Sequence, residues 1–369
     1  MRPERSDELL LQRLQVTAAP HVKSPDSTVR IMWTVVATLV PVVAAAVYFF
    51  GLSALLVVLA ATLGAMLTER AFGPGGATRA GSLRDGSAAI TGILLGLTLP
   101  ASFPLWMAFL GGAFGIGIGK LVFGGLGQNV FNPALIGRAF LQAAFPTAIT
   151  TWPQVGQGWA TLYASNFALP LMGTTGVDLV TAATPLNLMK FEHQTTEALP
   201  LLLGRTGGSL GETAGLLILL CGAYLAYKNY LNWRIPASIF LSVSVFAGVI
   251  HLLDPAKFPS PLFMLFSGGL MLGAVYMATD LVTSPVTHRG AWIFGAGIGF
   301  LVVLIRVWGG LPEGVMYAIL LMNALVPFLN RATQPTVFGH AQPAPAPAGT
   351  RAALRFRGIK RPAKQEAAR

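Results

Sequence analysis

Charge is what this chain has least of. Only 11% of its 369 residues are Asp, Glu, Lys or Arg, while 54% are hydrophobic. Soluble domains carry roughly 25% charged residues, so an ordinary water-soluble globule is excluded. The charge is also lopsided, with 25 Lys and Arg against 14 Asp and Glu, a formal +11. Nucleic-acid binding would need the basic residues clustered on one face; here they are spread over loops and tails. Cysteine is nearly absent. Cys221 stands alone in an apolar run, which excludes an internal disulfide, a Cys-ligated iron–sulfur cluster and a zinc site of the chain's own. It reads as a small core residue. The five histidines (His21, His193, His251, His288, His340) form no ligand cluster, so haem and copper have no support and no metal site is expected. No catalytic triad, phosphate loop or carboxylate pair is present, and no catalytic residue is assigned. The first 30 residues are polar, without an apolar core after a basic start, which excludes a secretory signal peptide.

What is there is apolar length. The 42 glycines and 25 prolines are dispersed, as in membrane helices. Spanning a ~30 Å hydrocarbon core takes about 20 apolar residues. Candidate spans lie near Ile31–Gly51, Ala54–Ala71, Ser87–Leu99, Phe103–Phe123, Pro133–Phe145, Thr213–Tyr230, Ile235–Leu253, Pro261–Ala278, Ala291–Trp308 and Gly314–Asn330. The third and fifth are short and bounded by Gly, Pro or Asn, the signature of broken helices lining a buried site. The expected fold is therefore an all-α integral membrane protein of about ten transmembrane helices.

Basic residues then orient it. Arg2, Arg5, Arg13, Lys23 and Arg30 precede the first span. Arg70, Arg79 and Arg84, then Lys120, Lys228, Arg234, His288 and Arg289, and the tail from Arg331 to Arg369 all fall on one side. The opposite loops, around Ser53, Ala101 and Asp254–Ser260, are nearly free of positive charge; Arg306 is the one dissenter. Both termini are therefore expected in the cytoplasm, and residues 146–212 outside. Ala341–Gly349 reads as a Pro/Ala-rich linker before a basic tail suited to lipid headgroups.

The halves echo each other. Gly124-Gly125-Leu126 and Gly309-Gly310-Leu311 each follow a glycine-rich helix, Gly111–Gly119 and Gly295–Gly299. Five spans per half is an odd number, so residues 31–145 and 213–331 would be inverted repeats, between a tail at 1–30, the outer segment at 146–212 and a second tail at 332–369.

Three polar groups remain for chemistry. Gln128, Asn129, Asn132 and Arg138 sit at membrane depth, where amides are costly unless partnered. Asn129 and Asn132 share a face if helical; the alternative is that Asn caps a helix with Pro133 at its first position. Asp280, with Thr279, Thr283, Ser284 and Thr287, could handle an ion, cap its span or pair with Arg289. Asp85 has the same standing. Finally, Asp178–Leu186 (DLVTAATPL) places Thr181 and Thr184 on the outer segment, within reach of a modifying enzyme.

Four stretches together resemble a known family: Ser24–Ser27, Gly124–Leu141 (GGLGQNVFNPALIGRAFL), Asp178–Leu186 and Met277–Gly290 (MATDLVTSPVTHRG), with Gly309–Asn323 in support. The chain resembles the D-type membrane subunit of the Rnf ion-translocating oxidoreductase and, more distantly, the B-type subunit of the sodium-pumping NADH:quinone oxidoreductase. The resemblance implies a flavoprotein subunit. FMN would be joined through its phosphate to Thr184 by a dedicated FMN transferase, which recognises Asp-x-x-Ser/Thr-Gly-Ala-Thr. Asp178, Thr181, Ala183 and Thr184 match that pattern; Ala182 stands where it has glycine. The resemblance also implies a second, non-covalent flavin (riboflavin in the sodium-pumping relative) near Asn129 and Asn132. Its partners would be the other subunits of an Rnf-like complex and membrane lipid, not nucleic acid. The expected role is electron relay through the flavin, coupling NADH/ferredoxin chemistry to Na⁺ or H⁺ movement, in a chain not catalytically complete alone. A small-solute channel or secondary transporter would share the inverted, broken-helix pattern, and a purely structural subunit would lack the flavin.

Overall fold

The computed structural model describes residues 26–73, 83–156, 158–170, 183–192, 194–204, 206–212, 215–255 and 257–335. The N-terminal tail, the basic tail beyond residue 335, Asp178, Thr181 and Ala182 lie outside them.

Helix α1, Thr28–Phe50, starts where the Ser27 hydroxyl accepts from Arg30 N at 3.2 Å. Its Pro41 lies mid-helix, a placement tolerated more readily in membranes. Gly51, at φ +81°, turns the chain straight into α2, Leu52–Phe72. Helix α3, Ser87–Leu97, follows, then α4, Leu105–Ile116, which runs on as a π turn over Gly117–Leu121. Helix α5, Pro133–Ala144, and the short α6, Pro146–Thr150, complete the first half. A one-turn α7, Pro185–Asn187, continues as a π turn over Leu188–Glu192, and α8 covers Ala198–Leu203. The second half holds α9, Gly215–Tyr227, α10, Arg234–Leu253, α11, Pro261–Phe266, α12, Leu270–Leu272 with a π turn over Gly273–Met277, α13, His288–Trp308, and α14, Val315–Ala332.

Each expected span contains a helix. Five (α1, α2, α10, α13 and α14) are long and apolar enough to cross a membrane. Helix α3, with 11 residues, rises only about 16 Å, so it does not cross alone. The expected single span Pro261–Ala278 is broken at Ser267–Gly269, where Gly268 has φ +65°. That left-handed backbone ends one helix and frees the chain to start another.

The surface is apolar in the way lipid requires. Leu59, Leu63 and Leu67 on α2 and Leu241, Val245 and Val249 on α10 are all exposed, repeating every four residues along one face. Trp33, Trp233 and Trp292 ring one end of the bundle, while Trp159 and Trp308 mark the other, as an aromatic belt does. The chain is an integral membrane protein. Inside, glycines let helix backbones touch. A Cβ at Gly64 or Gly112 would collide with the carbonyls of Phe109 or Ala61, joining α2 to α4. In the second half, Gly295 and Gly299 sit against Ile235 and Ile239 in the same way, joining α13 to α10. The strongest packing is α2 with α4 in one half and α10 with α13 in the other.

The bundle has two polar ends. At the near end the Trp33 indole donates to Arg84 O, Tyr230 to Asp26, and Val286 N to Asn330. At the far end Asn166 donates to Ala101 O and Phe103 O, and Ser53 to Thr161 O.

Candidate functional site

Buried charge collects at both ends of α3. At its start, Asp85 accepts from the backbone N of Ser87 at 2.8 Å and from its hydroxyl at 2.6 Å. Lys120, carried on the π turn after α4, donates to Ser87 Oγ at 2.6 Å and pairs with Glu69 of α2 at 2.6 Å. The lysine is 3% exposed, so it is not the loop charge that its place in the sequence suggests. The π turn supplies the extra residue that swings it inward.

Ser87 and Lys120 line a cavity of about 70 Å³ together with Asn129, Asn132, Tyr276 and Asp280. Asn129 and Asn132 do not share a helix face, because the chain is irregular from Asn129 to Asn132. Asn132 caps α5, accepting from Ala134 N at 3.0 Å and Leu135 N at 3.4 Å, and donates to Met277 O at 3.1 Å. One amide thus ties the first half to the second. Asn129 donates to Phe131 O. Asp280 accepts from Val282 N and Thr283 Oγ1 at 3.3 and 3.2 Å. No ion pair to Arg289 forms among the described residues. Ligand pockets for flavin-sized molecules run to roughly 300 Å³ and above. This cavity does not fit a flavin ring and both amides are engaged; a few waters or one ion fit.

At the far end of α3, Arg138 of α5 donates to Thr98 O at 2.6 Å and pairs with Glu313 at 2.6 Å. Glu313 accepts from Gly269 N at 2.8 Å. A cation thus meets the carbonyl end of α3 and an anion meets the amide start of α12, matching the sign of each helix dipole. Arg306 is fully buried beside them and donates to Met264 O at 2.6 Å and Ser267 O at 2.9 Å. It holds the carbonyls freed by the broken helix, which explains a positive charge on the side where the loops carry few. Leu210 N and Gly211 N bond to Leu99 O and Leu97 O at 3.1 and 2.7 Å, bringing Glu212 to the same place. Ser209 donates to Glu212 at 2.8 Å. Burial, then the neighbouring Glu313, push the Glu212 carboxyl up to about 7, against the pull of Ser209 and Arg138.

The Thr184 turn rests on this cluster. Leu186 is buried against Gly268, where a Cβ would lie 2.6 Å from Leu186 Cδ1. Lys190 donates to the carbonyls of Arg306, Gly309 and Leu311, clamping the turn to the α13–α14 connection. Thr184 caps α7, its Oγ1 accepting from Asn187 N at 3.2 Å. Its hydroxyl proton has no acceptor among the described residues. Ala183 is exposed but Thr184 is only 7% exposed, so in this turn the hydroxyl is covered, where its place on an outer segment suggested an accessible one. The residues fit a phosphoester tether at Oγ1, which keeps the ester oxygen as an acceptor.

Sequence reasoning reached Thr184, Asn129, Asn132, Asp280, Asp85 and Arg138, and the fold divides them between two sites. It missed Glu69, Glu212, Glu313 and Lys190. Their signal was available: an ionisable residue in or beside an apolar run is a functional candidate by default.

An all-helical membrane body with broken helices and buried ion pairs at both ends defines a class: membrane proteins with charge-handling interiors. A profile of the NQR2, RnfD, RnfE family matches residues 15–339, and the chain belongs to that family. It is 39% identical over 334 residues to the D-type subunit of the proton-translocating ferredoxin:NAD(+) oxidoreductase complex of Clostridium ljungdahlii, covering 88% of this chain and 96% of the relative. It is 41% identical over 326 residues to the D-type subunit of the ion-translocating oxidoreductase complex of Stutzerimonas stutzeri, covering 84% and 92%. With the D-type subunit of the Na(+)-translocating ferredoxin:NAD(+) oxidoreductase complex of Acetobacterium woodii it shares 38% over 330 residues, covering 88% and 95%.

Proposed function

We propose that this chain is the D-type membrane subunit of an ion-translocating ferredoxin:NAD⁺ oxidoreductase complex, relaying electrons through FMN attached to Thr184. The observation that carries the reading is its likeness, nearly end to end, to subunits of that name. Other subunits of the complex, an FMN transferase and membrane lipid are its partners.

Bound FMN would supply the redox chemistry. The chain's own residues do the positioning. Thr184 is the tether, and Asp178, Thr181 and Ala183 complete the attachment motif. Lys190 clamps the turn to the Arg306–Leu311 carbonyls. The Arg138–Glu313 pair holds the helix ends beneath it. At the opposite end, Asp280 and Asp85 lie on the ion route.

The near end is read as cytoplasmic, with both termini, and Thr184 as periplasmic. The bias of Arg70, Arg79, Arg84, Lys228, Arg234, Arg289 and Arg331 supports this, and burial of Lys120 and Arg306 removes them from the count. Two inverted repeats, 31–145 and 213–331, account for the matching α2–α4 and α10–α13 packing.

The test is mass measurement of the peptide spanning Thr184 from the native host. The expected result is one FMN phosphoester, lost in Thr184→Ala together with the fluorescent band in a gel. An unmodified Thr184 overturns the relay. A colourless chain that takes up a small solute would be the transporter instead.

A further inference from the structure

The relatives' names differ on the ion, proton in one and sodium in another, so family membership leaves it open. The near end of the bundle speaks to the choice. Its buried polar groups form one unbroken hydrogen-bonded chain. Asp85 is half-buried at the end of the bundle and accepts from the Ser87 hydroxyl at 2.6 Å. That hydroxyl accepts from Lys120 Nζ at 2.6 Å, and the same ammonium is held by Glu69 at 2.6 Å. Ser87 and Lys120 then line the same cavity as Asp280. The chain of bonds therefore starts at the polar end and finishes on an interior cavity.

The chemistry of the middle link decides what can pass. An ammonium has three donors and no acceptor, so it offers a metal cation no ligand and repels it. A proton needs only N–H and O–H bonds to exchange along the line. The charge balance points the same way. From α2 comes Glu69, from the turn before α3 Asp85, from the π turn Lys120, and from the second half Asp280 with Tyr276. The one ammonium is already paired with Glu69. Asp280 is half-buried and has hydrogen bonds but no ion pair among the described residues, so its carboxylate is a partly desolvated anion that can accept a proton.

We propose that Asp85, Ser87 and Lys120 form a proton relay that loads Asp280. The proposal rests on the reading of this chain as an ion-translocating subunit. In the step, the Lys120 ammonium releases one proton, which crosses the cavity to the Asp280 carboxylate; there is room for a bridging water. The neutral amine takes a proton from the Ser87 hydroxyl, which is restored by the acid form of Asp85. Asp85 is recharged from the aqueous face. Each N–H or O–H bond broken is matched by one formed, and nothing is oxidised or reduced.

The experiment uses the whole complex in vesicles with an internal pH dye, driven by reduced ferredoxin and NAD⁺. The readout is protons taken up per electron transferred. Lys120→Arg keeps the charge and the Glu69 partner, but arginine does not give up its proton in proteins. A relay therefore predicts at least a tenfold fall in the ratio for Lys120→Arg. Ser87→Ala, a smaller change that removes the bridging hydroxyl, should fall likewise and covers the case where Lys120→Arg fails to assemble. Protein-bound flavin and yield of the complex report assembly. A wild-type ratio in either assembled variant overturns the relay. So does a wild-type complex that takes up labelled sodium and no protons, although the parent reading then survives. A wild-type complex that transfers electrons but moves neither ion overturns both.

Discussion

The two ends of α3 solve the same electrostatic problem differently. At the near end an ion pair faces a cavity, and every member reaches another titratable group directly or through Ser87. At the far end Arg138 and Glu313 pair with each other, and each is also bonded to a helix end, at Thr98 O and Gly269 N. Buried charge can therefore be a switch or a fastener, and what surrounds the pair decides which. Groups that see other ionisable groups can trade protons. Groups that see helix ends hold the fold open at a break that would otherwise leave backbone unsatisfied in lipid.

That contrast breaks first at the far end. Arg138→Met should cost the most, about 3–5 kcal/mol, because it strands the largely buried Glu313 carboxylate and takes the donor from Thr98 O at the end of α3. Thermal unfolding of purified protein measures it, and Arg138→Met with Glu313→Leu should regain a large part. A double variant no better than the single would show that the pair does more than neutralise itself. At the near end, Lys120→Met takes the cation from Glu69 and uncaps no helix, so it should cost less, about 3 kcal/mol; equal losses at both ends would erase the distinction drawn here.

Smaller effects sharpen it. Glu212 has its carboxyl raised to about 7, so the folded state holds a proton that the unfolded chain releases near the ordinary value of 4.5. Between these values stability should fall as pH rises, by at most about 1.4 kcal/mol per pH unit. Glu212→Gln should flatten that slope in pH-dependent melts; an unchanged slope would mean another group is responsible. Lys190→Met loses three carbonyl contacts at a partly exposed site and should cost about 1–2 kcal/mol, seen as faster hydrogen exchange over residues 183–192 with the far ion pair undisturbed. Asn132→Ala removes a helix cap, about 1 kcal/mol, with the bond to Met277 O in addition.

Much of this architecture was legible before any coordinates. The long apolar runs located a helix in every expected span, because lipid leaves the backbone no alternative to internal hydrogen bonds. Glycine-rich stretches at Gly111–Gly119 and Gly295–Gly299 stood out as echoes of each other, and Gly112, Gly295 and Gly299 lie where helix backbones touch. Asn132 before Pro133 offered a helix cap as the alternative to cofactor contact, and it is a cap. The rest was hidden for physical reasons. Nothing local distinguishes Lys120 at a loop from Lys120 inside a bundle; the π turn and Glu69, 51 residues away, decide it. Likewise, Pro261–Ala278 looks continuous because Ser267-Gly268-Gly269 is compatible with either a helix or a break. Arg306 and Glu313, distant in sequence, stabilise the break.

By itself, then, the sequence determined the solvent, the helices and the family, since these follow from composition, period and motif. Tertiary structure decided the rest. It set which charges are buried and paired, which helix is interrupted, and how the Thr184 turn is clamped. Those are properties of groups 33 to 175 residues apart, and only the packed fold brings such partners within bonding distance.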